Sequence, residues 1–210
     1  MNKYITLFIG ISVVISLIYI AGYKKNIKIM KRMAETLEKA FKIEDQVYTY
    51  LGGVLGFSAD YKLKKLKQIK AVLRLIPRQS ALYLPFMFLT SGRDSLQIMF
   101  YLKRPIKEEF HIIKKNFLNF SKPKIYNRDK LQSEVVDIDG VKYELLYEKG
   151  LSESRDFLNF IQVFNQKHFN HLAATKENNI IYVNLLFYNM NYENLTNSLK
   201  KFCIAVENYK

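Results

Sequence analysis

From Tyr4 to Tyr23 the chain carries no charged side chain, and Ile, Val and Leu dominate these positions. As a helix rising ~1.5 Å per residue the stretch is roughly 30 Å long, the thickness of a bilayer's hydrocarbon core. A cleaved signal would need a basic leader, a shorter apolar run and a small-residue cleavage site. Only Lys3 precedes the run, and no such site precedes Lys24. The pattern therefore predicts a retained transmembrane helix over residues 4–23. Beyond it, Ile27, Met30, Ala34, Leu37 and Phe41 recur three and four apart, so the helix is expected to continue over 24–44 with one apolar stripe against the following domain.

Gly52, Gly53 and Gly56 break the pattern. After them, 57–63 alternates as a strand, while Leu66, Ile69, Leu73 and Ile76 sit at helical spacing before Pro77. The stretches 81–89 and 95–102 read as strands, and 108–120 as a helix with Phe110, Ile113, Phe117 and Phe120 on one face. Further on, 135–138 and 141–147 flank Asp139-Gly140, a hairpin signal. A helix opening at Ser152 carries Phe157, Phe160, Ile161 and Phe164, followed by a strand at 180–188 and a closing helix at 193–208. The fold class expected is α/β (α+β). The soluble part divides into two similar strand-helix-strand-helix halves, 45–128 and 129–210, with helices packed on mixed sheets.

Charge sharpens this division. The chain carries a formal net charge of +14, and residues 24–128 hold 23 Lys and Arg against 8 Asp and Glu, whereas 129–210 hold 9 against 11. An excess of this kind points to an anionic partner. Lys24, Lys25, Lys28, Lys31 and Arg32 follow the apolar run directly. By the positive-inside rule they place the bulk of the chain in the cytosol and the N-terminus outside, as a single-pass membrane protein. On the helical reading of 66–76, Lys67, Lys70 and Arg74 share one side; with Lys62, Lys64, Lys65, Arg78, Lys114 and Lys115 they form the candidate surface for an anionic partner. Acidic lipid accounts for the juxtamembrane cluster, but its potential decays within about a Debye length, ~8 Å. A phosphate-dense cytosolic body, the ribosome with its RNA backbone, fits the remaining lysines better. Acidic lipid or an acidic protein without a ribosome role is the alternative. Within the membrane segment, Thr6/Gly10 and Ser12/Ser16 have the four-residue small-residue spacing that lets a second helix approach, a spacing also common where such residues are simply tolerated.

Nothing assembles into a catalytic constellation, and neither cofactor nor metal is expected. His168 and His171 stand three apart on an expected helix without the further ligands zinc requires, and read as surface histidines. Cys203, the single cysteine, lies on the apolar side of the last helix as a buried thiol. The glycine-rich stretch 52–56 lacks the Lys-Ser/Thr ending of a P-loop and reads as a turn. Asp137 and Asp139 serve the hairpin rather than acid–base chemistry. The sequons at Asn119 and Asn194 carry no weight on a cytosolic domain. The chain reads as a binding protein.

The junction Gly22-Tyr23-Lys24-Lys25-Asn26-Ile27-Lys28-Ile29, the stretches GFSADYKLKKLK (56–67) and LRLIPR (73–78), and FLNFIQVFNQKHFNHL (157–172) together resemble the calumin family, the coiled-coil-domain-containing subunits of the PAT complex of the multipass translocon. The resemblance implies a membrane-protein biogenesis factor beside the Sec translocon that contacts the ribosome and supports a small intramembrane chaperone, an Asterix-like protein. It also implies a compact, archaeal relative in the plasma membrane, without the family's acidic lumenal region and its Lys/Glu-rich coiled-coil tail.

Overall fold

The computed structural model describes residues 3–89, 92–115, 123–148, 158, 161–187 and 189–209. One uninterrupted helix, α1 (Lys3–Ala40), opens the chain; its first part is exposed almost throughout, and burial begins at Gly22. It is apolar and long enough to cross a membrane. From Asn26 onward the 3.6-residue period brings Met30, Met33, Leu37, Ala40 and Phe41 into the core, with Ile27 and Ala34 half-buried beside them.

Nine strands follow among the described residues: β1 (Asp45–Tyr50), β2 (Gly56–Lys62), β3 (Gln68–Arg74), β4 (Asp94–Tyr101), β5 (Phe110–Lys114), β6 (Gln132–Ile138), β7 (Val141–Tyr147), β8 (Phe169–Thr175) and β9 (Ile180–Phe187). A short helix, α2 (Leu84–Leu89), lies between β3 and β4, and α3 (Tyr192–Glu207) closes the chain. The strands form a single sheet of order β1-β2-β3-β4-β9-β8-β5-β7-β6, and each pairing is antiparallel. The architecture is thus α+β. The stretches 45–128 and 129–210 share this one sheet, because β4 pairs with β9 and β5 sits between β7 and β8.

Register places one buried row across the sheet: Ala59, Ala71, Ile98, Val183, Leu172, Ile112 and Leu145 are successive cross-strand partners. α1 and α3 cover this face. Phe41, just past the end of α1, meets Tyr61 and Phe100 at 5.9 Å, and Phe202 of α3 meets Phe100 at 5.4 Å. Arg32 stacks over the Tyr192 ring at 5.7 Å, which brings the start of α3 against the middle of α1. The opposite face is more polar over β2–β4, where Ser58, Asp60, Lys70 and Gln97 project.

Several expected elements are corrected. Residues 66–76 form no helix: β3 occupies the stretch and buries Ile69, Ala71 and Leu73 with period two. The three-and-four spacing of its leucines fits either period once Ala71 is counted as core. The stretch 81–89 is a turn followed by α2, whose Pro85 stands in the first turn, where its missing N–H costs nothing. The helix expected over 108–120 is β5 as far as Lys114, and 116–120 lie outside the described residues. His168 and His171 lie at and within β8, not on a helix. Most of the helix expected from Ser152 lies outside the described residues, although Ile161 and Phe164 are buried. The Asp139-Gly140 hairpin holds: both residues have positive φ, 51° and 78°, and Asp137 accepts a hydrogen bond from the Gly140 N–H at 2.9 Å.

Leu37 is fully buried between α1 and the sheet. Leu37→Ala should lower unfolding stability by about 2–5 kcal/mol, while exposed Ile204→Ala on α3 stays within about 0.5 kcal/mol. Denaturant unfolding of the detergent-solubilised chain checks both.

Candidate membrane-proximal interface

Where α1 leaves its exposed stretch, its side chains meet the connections at one end of the sheet. Gly22 sits so close to the β3–β4 connection that a Cβ there would stand 2.2 Å from the Arg78 carbonyl oxygen. One turn on, Asn26 is completely buried. Its Nδ2 donates to the carbonyls of Val54, at 3.1 Å, and Ile76, at 2.9 Å, and its Oδ1 accepts from Arg78 Nη1 at 2.9 Å. Arg78 in turn makes a two-pronged pair with Asp94, Nη1 to Oδ1 at 3.0 Å and Nη2 to Oδ2 at 2.6 Å. The Ile76 N–H donates to the same Asp94 Oδ1 at 3.0 Å. A buried carboxylate, guanidinium and amide thus satisfy one another and pin the β1–β2 turn and both ends of the β3–β4 connection to α1 at one level.

That level orients the sheet. Asn26 meets the start of β2 and the end of β3, whereas Phe41, fifteen residues later, meets Tyr61 and Phe100 at the far ends of β2 and β4. One end of the sheet therefore faces the apolar part of α1 and the other stands away from it.

The candidate cationic residues fall into two groups on this axis. Arg74, at the end of β3, and Lys114 and Lys115, at and just past the end of β5, lie at the proximal end of the sheet, the end at which α1 carries Lys24, Lys25 and Lys28. Lys62, Lys64, Lys65 and Lys67 surround the β2–β3 connection at the distal end, where Lys103 donates to the Lys64 carbonyl at 2.5 Å. Three distal lysines have carboxylate neighbours: Lys62 with Asp45 at 3.0 Å, Lys65 with Glu207 at 3.2 Å and Lys64 with Glu44 at 3.9 Å. Lys67 is exposed, and no ion pair holds it among the described residues. Lys70 is half-buried on the open sheet face, off the line of Lys67. Lys114 is half-buried and donates to the Gln166 carbonyl at 2.6 Å; burial and the nearby Arg93 charge hold its ammonium below the usual lysine range. Arg78 is buried in the cluster above, not displayed on the cationic surface. Lys31 is exposed, and Arg32 is the residue stacked on α3.

In the apolar part of α1, Thr6, Gly10, Ser12 and Ser16 are all exposed, and nothing lies within 4 Å of a Cβ placed on Gly10. Ser12 and Ser16 donate back to the Phe8 and Ser12 carbonyls at 2.9 and 2.8 Å, so neither hydroxyl is left bare in an apolar setting. Thr6 and Gly10 share an open trough along the helix with Leu7, Val14 and Ile15.

His171 is buried rather than on the surface, and its partner is His111 of β5. His111 Nδ1 and His171 Nε2 are 3.3 Å apart, and His111 Nε2 is 3.1 Å from Glu109. Burial holds His111 below the ordinary imidazole value against the pull of Glu109, and burial with the His111 charge pushes His171 down to about 3. Among the described residues no group of three or more His, Cys, Asp and Glu side chains is placed to hold a metal. Cys203 is buried as expected, and burial pushes its thiol up to about 12.

Asn26, Asp94 and His111 escaped the sequence reading as site residues. A polar Asn placed in line with Met30 and Met33 was the available signal for the first. In comparison with known proteins, no family model and no curated protein matches this chain.

Asp94→Asn strands the Arg78 charge in the core and should cost about 3–5 kcal/mol, and Asn26→Leu, which orphans two carbonyls and one guanidinium donor, about 1–3 kcal/mol for each stranded group; denaturant unfolding measures both. For the histidine pair, the unfolded chain takes up protons near 6.5 while the folded chain does not until lower pH. The pair's contribution is therefore complete above 6.5 and lost as pH falls toward about 3. Thermal unfolding across this window should show the loss, and His171→Phe should make it shallower.

Proposed function

We propose that this chain is a membrane-anchored, non-catalytic biogenesis factor whose distal basic end engages the ribosome beside the Sec translocon. In this reading residues 4–23 span the archaeal plasma membrane with the N-terminus outside, and residues 24–210 form the cytosolic part, its single sheet taking the place of the two-halved organisation. The observation that carries it is the separation of the cations along α1. From Lys24 to Ala40 the helix rises roughly 25 Å, about three Debye lengths of ~8 Å. Lys64, Lys65, Lys67 and Lys103 at the far end are thus beyond the reach of lipid charge, whereas a polyphosphate surface facing the membrane meets them directly. Lys24, Lys25, Lys28, Arg74 and Lys115 lie close enough for acidic headgroups, each worth about 1 kcal/mol there. The resemblance of the Gly22–Ile29 junction and of 56–78 to the calumin family supports the translocon setting. It also supports an Asterix-like small membrane protein as a companion for the exposed Thr6/Gly10 side of α1.

Co-sedimentation of the detergent-solubilised chain with ribosomes tests this reading. Binding should weaken steeply with salt, and Lys64→Glu/Lys67→Glu/Lys103→Glu should reduce the slope of log affinity against log salt by roughly 0.7–0.9 for each phosphate that is no longer neutralised. Binding at low salt that these substitutions leave unchanged, or no binding at all, would reject the ribosome role. Selective binding to acidic over neutral nanodiscs in its place would favour the lipid reading.

A further inference from the structure

Between Arg78 and Arg93 the sequence QSALYLPFMFLTSG carries no charge over fourteen residues, and unlike the uncharged stretches 46–59 and 178–192 it has no strand among its described residues. Both ends of this excursion are tied to α1 by the Arg78–Asp94 pair and Asn26, and its first backbone, at Arg78 and Gln79, presses on Gly22. Gly22 belongs to the last turn of the uncharged part of α1. The excursion therefore leaves the domain from the end of the sheet that faces the apolar helix, at the height where that helix becomes charged. What it displays there is apolar: Leu82 is 84% exposed and Phe86 63%, with Tyr83 and Pro85 exposed between them. In water such a cluster is costly, and a domain with a full hydrophobic core has no packing reason to present it.

We infer that residues 79–89 are a second membrane contact, a segment that lies in the lipid interface beside the transmembrane helix without crossing it. The inference rests on reading α1 as a membrane span. The occupant is lipid because the segment leaves the domain against Gly22, in the last turn of the uncharged part of α1, and displays apolar side chains there. Its surroundings match the two sides of an interface. Tyr19 and Tyr23, stacked at 6.1 Å on α1, and exposed Tyr50 at the end of β1 stand at the same end of the domain as Tyr83, a set suited to an aromatic belt. Arg74, Arg93, Lys24 and Lys25 supply exposed cations around it for headgroup phosphates. Six residues of helix are too few to span a bilayer and enough to lay an apolar edge into one.

The chain contains no tryptophan, so a single introduced one reports its own surroundings. Four full-length variants, Leu82→Trp, Phe86→Trp, Ile11→Trp in the span and Lys67→Trp at the distal end, are reconstituted in phosphatidylcholine/phosphatidylglycerol vesicles with acyl-brominated lipid, and iodide is added outside. Leu82→Trp and Phe86→Trp should be strongly quenched by brominated lipid and spared by iodide, as Ile11→Trp is by lipid, with Lys67→Trp showing the reverse. If both loop variants behave like Lys67→Trp while Ile11→Trp is quenched by lipid, the interfacial contact is wrong and the span stands. If Ile11→Trp escapes lipid quenching, the span and the contact fall together. Loop variants shielded from both quenchers would mean that protein covers the segment, a second copy of this chain where the shielding disappears on dilution into excess lipid, and would overturn the lipid assignment.

Discussion

A guanidinium buried in an apolar core needs a carboxylate, and the pair needs its remaining donors and acceptors met; here that requirement joins the long N-terminal helix to a sheet. Asp94 closes the charge of Arg78, Asn26 accepts from the same guanidinium, and the Asn26 amide reaches two carbonyls where β1–β2 and β3–β4 turn away from the sheet. A well-packed hydrophobic cluster of the same volume would hold the elements together at least as firmly. What the polar cluster adds is uniqueness. Hydrophobic packing lets a helix slide along a sheet by a turn, whereas Asn26 has partners at one position only, and Gly22 supplies the notch that lets the chain approach there. The axial position of the domain on α1, and hence its height above the apolar segment, is set at that point.

Sequence periodicity revealed the elements whose pattern has a single reading. The long apolar run of α1, the alternating residues of β2, β4 and β9, the Asp139-Gly140 turn and the amphipathic α3 are of this kind. β3 and β5 were illegible because short segments with leucine or isoleucine at three- and four-residue intervals also satisfy a strand once an alanine or a histidine counts as buried. Ala71 and His111 are those residues, and only pairing to neighbouring strands selects them. The same limit hid the histidine pair: His111 and His171 lie sixty positions apart and meet because β5 and β8, distant in sequence, are adjacent in the sheet. The candidate site was half legible. The excess of cations in 24–128 can be counted along the chain, but their division into two ends depends on which strand termini meet which end of α1. Read as a helix, 66–76 put Lys67, Lys70 and Arg74 on one side; as a strand with its preceding connection, it sends Lys67 to one end of the sheet and Arg74 to the other.

This division separates two tasks that a single basic face would merge. On the proposed reading, cations near the membrane would act on headgroups over a few ångströms. Cations roughly 25 Å farther along a rigid helix lie outside that field and remain available to a second polyanion. Pairing of the distal lysines with Glu44, Asp45 and Glu207 is no obstacle to the proposed polyanion contact, because exposed pairs of this type are weak.

On the proposed reading of α1 as a membrane span, that one helix holds the domain at a fixed height but leaves it free to rotate about the helix axis and to tilt with it. The Asn26 cluster makes the domain and helix one body, so any second attachment to the bilayer constrains both at once. An apolar segment leaving that same cluster, with its ends clamped by Arg78 and Asp94, is placed to act in this way. Two contacts define a line in the membrane plane, about which only rocking remains. On that reading the distal lysines would face a fixed direction above the bilayer instead of sweeping a cone, which would raise their effective concentration toward the proposed partner on the same membrane.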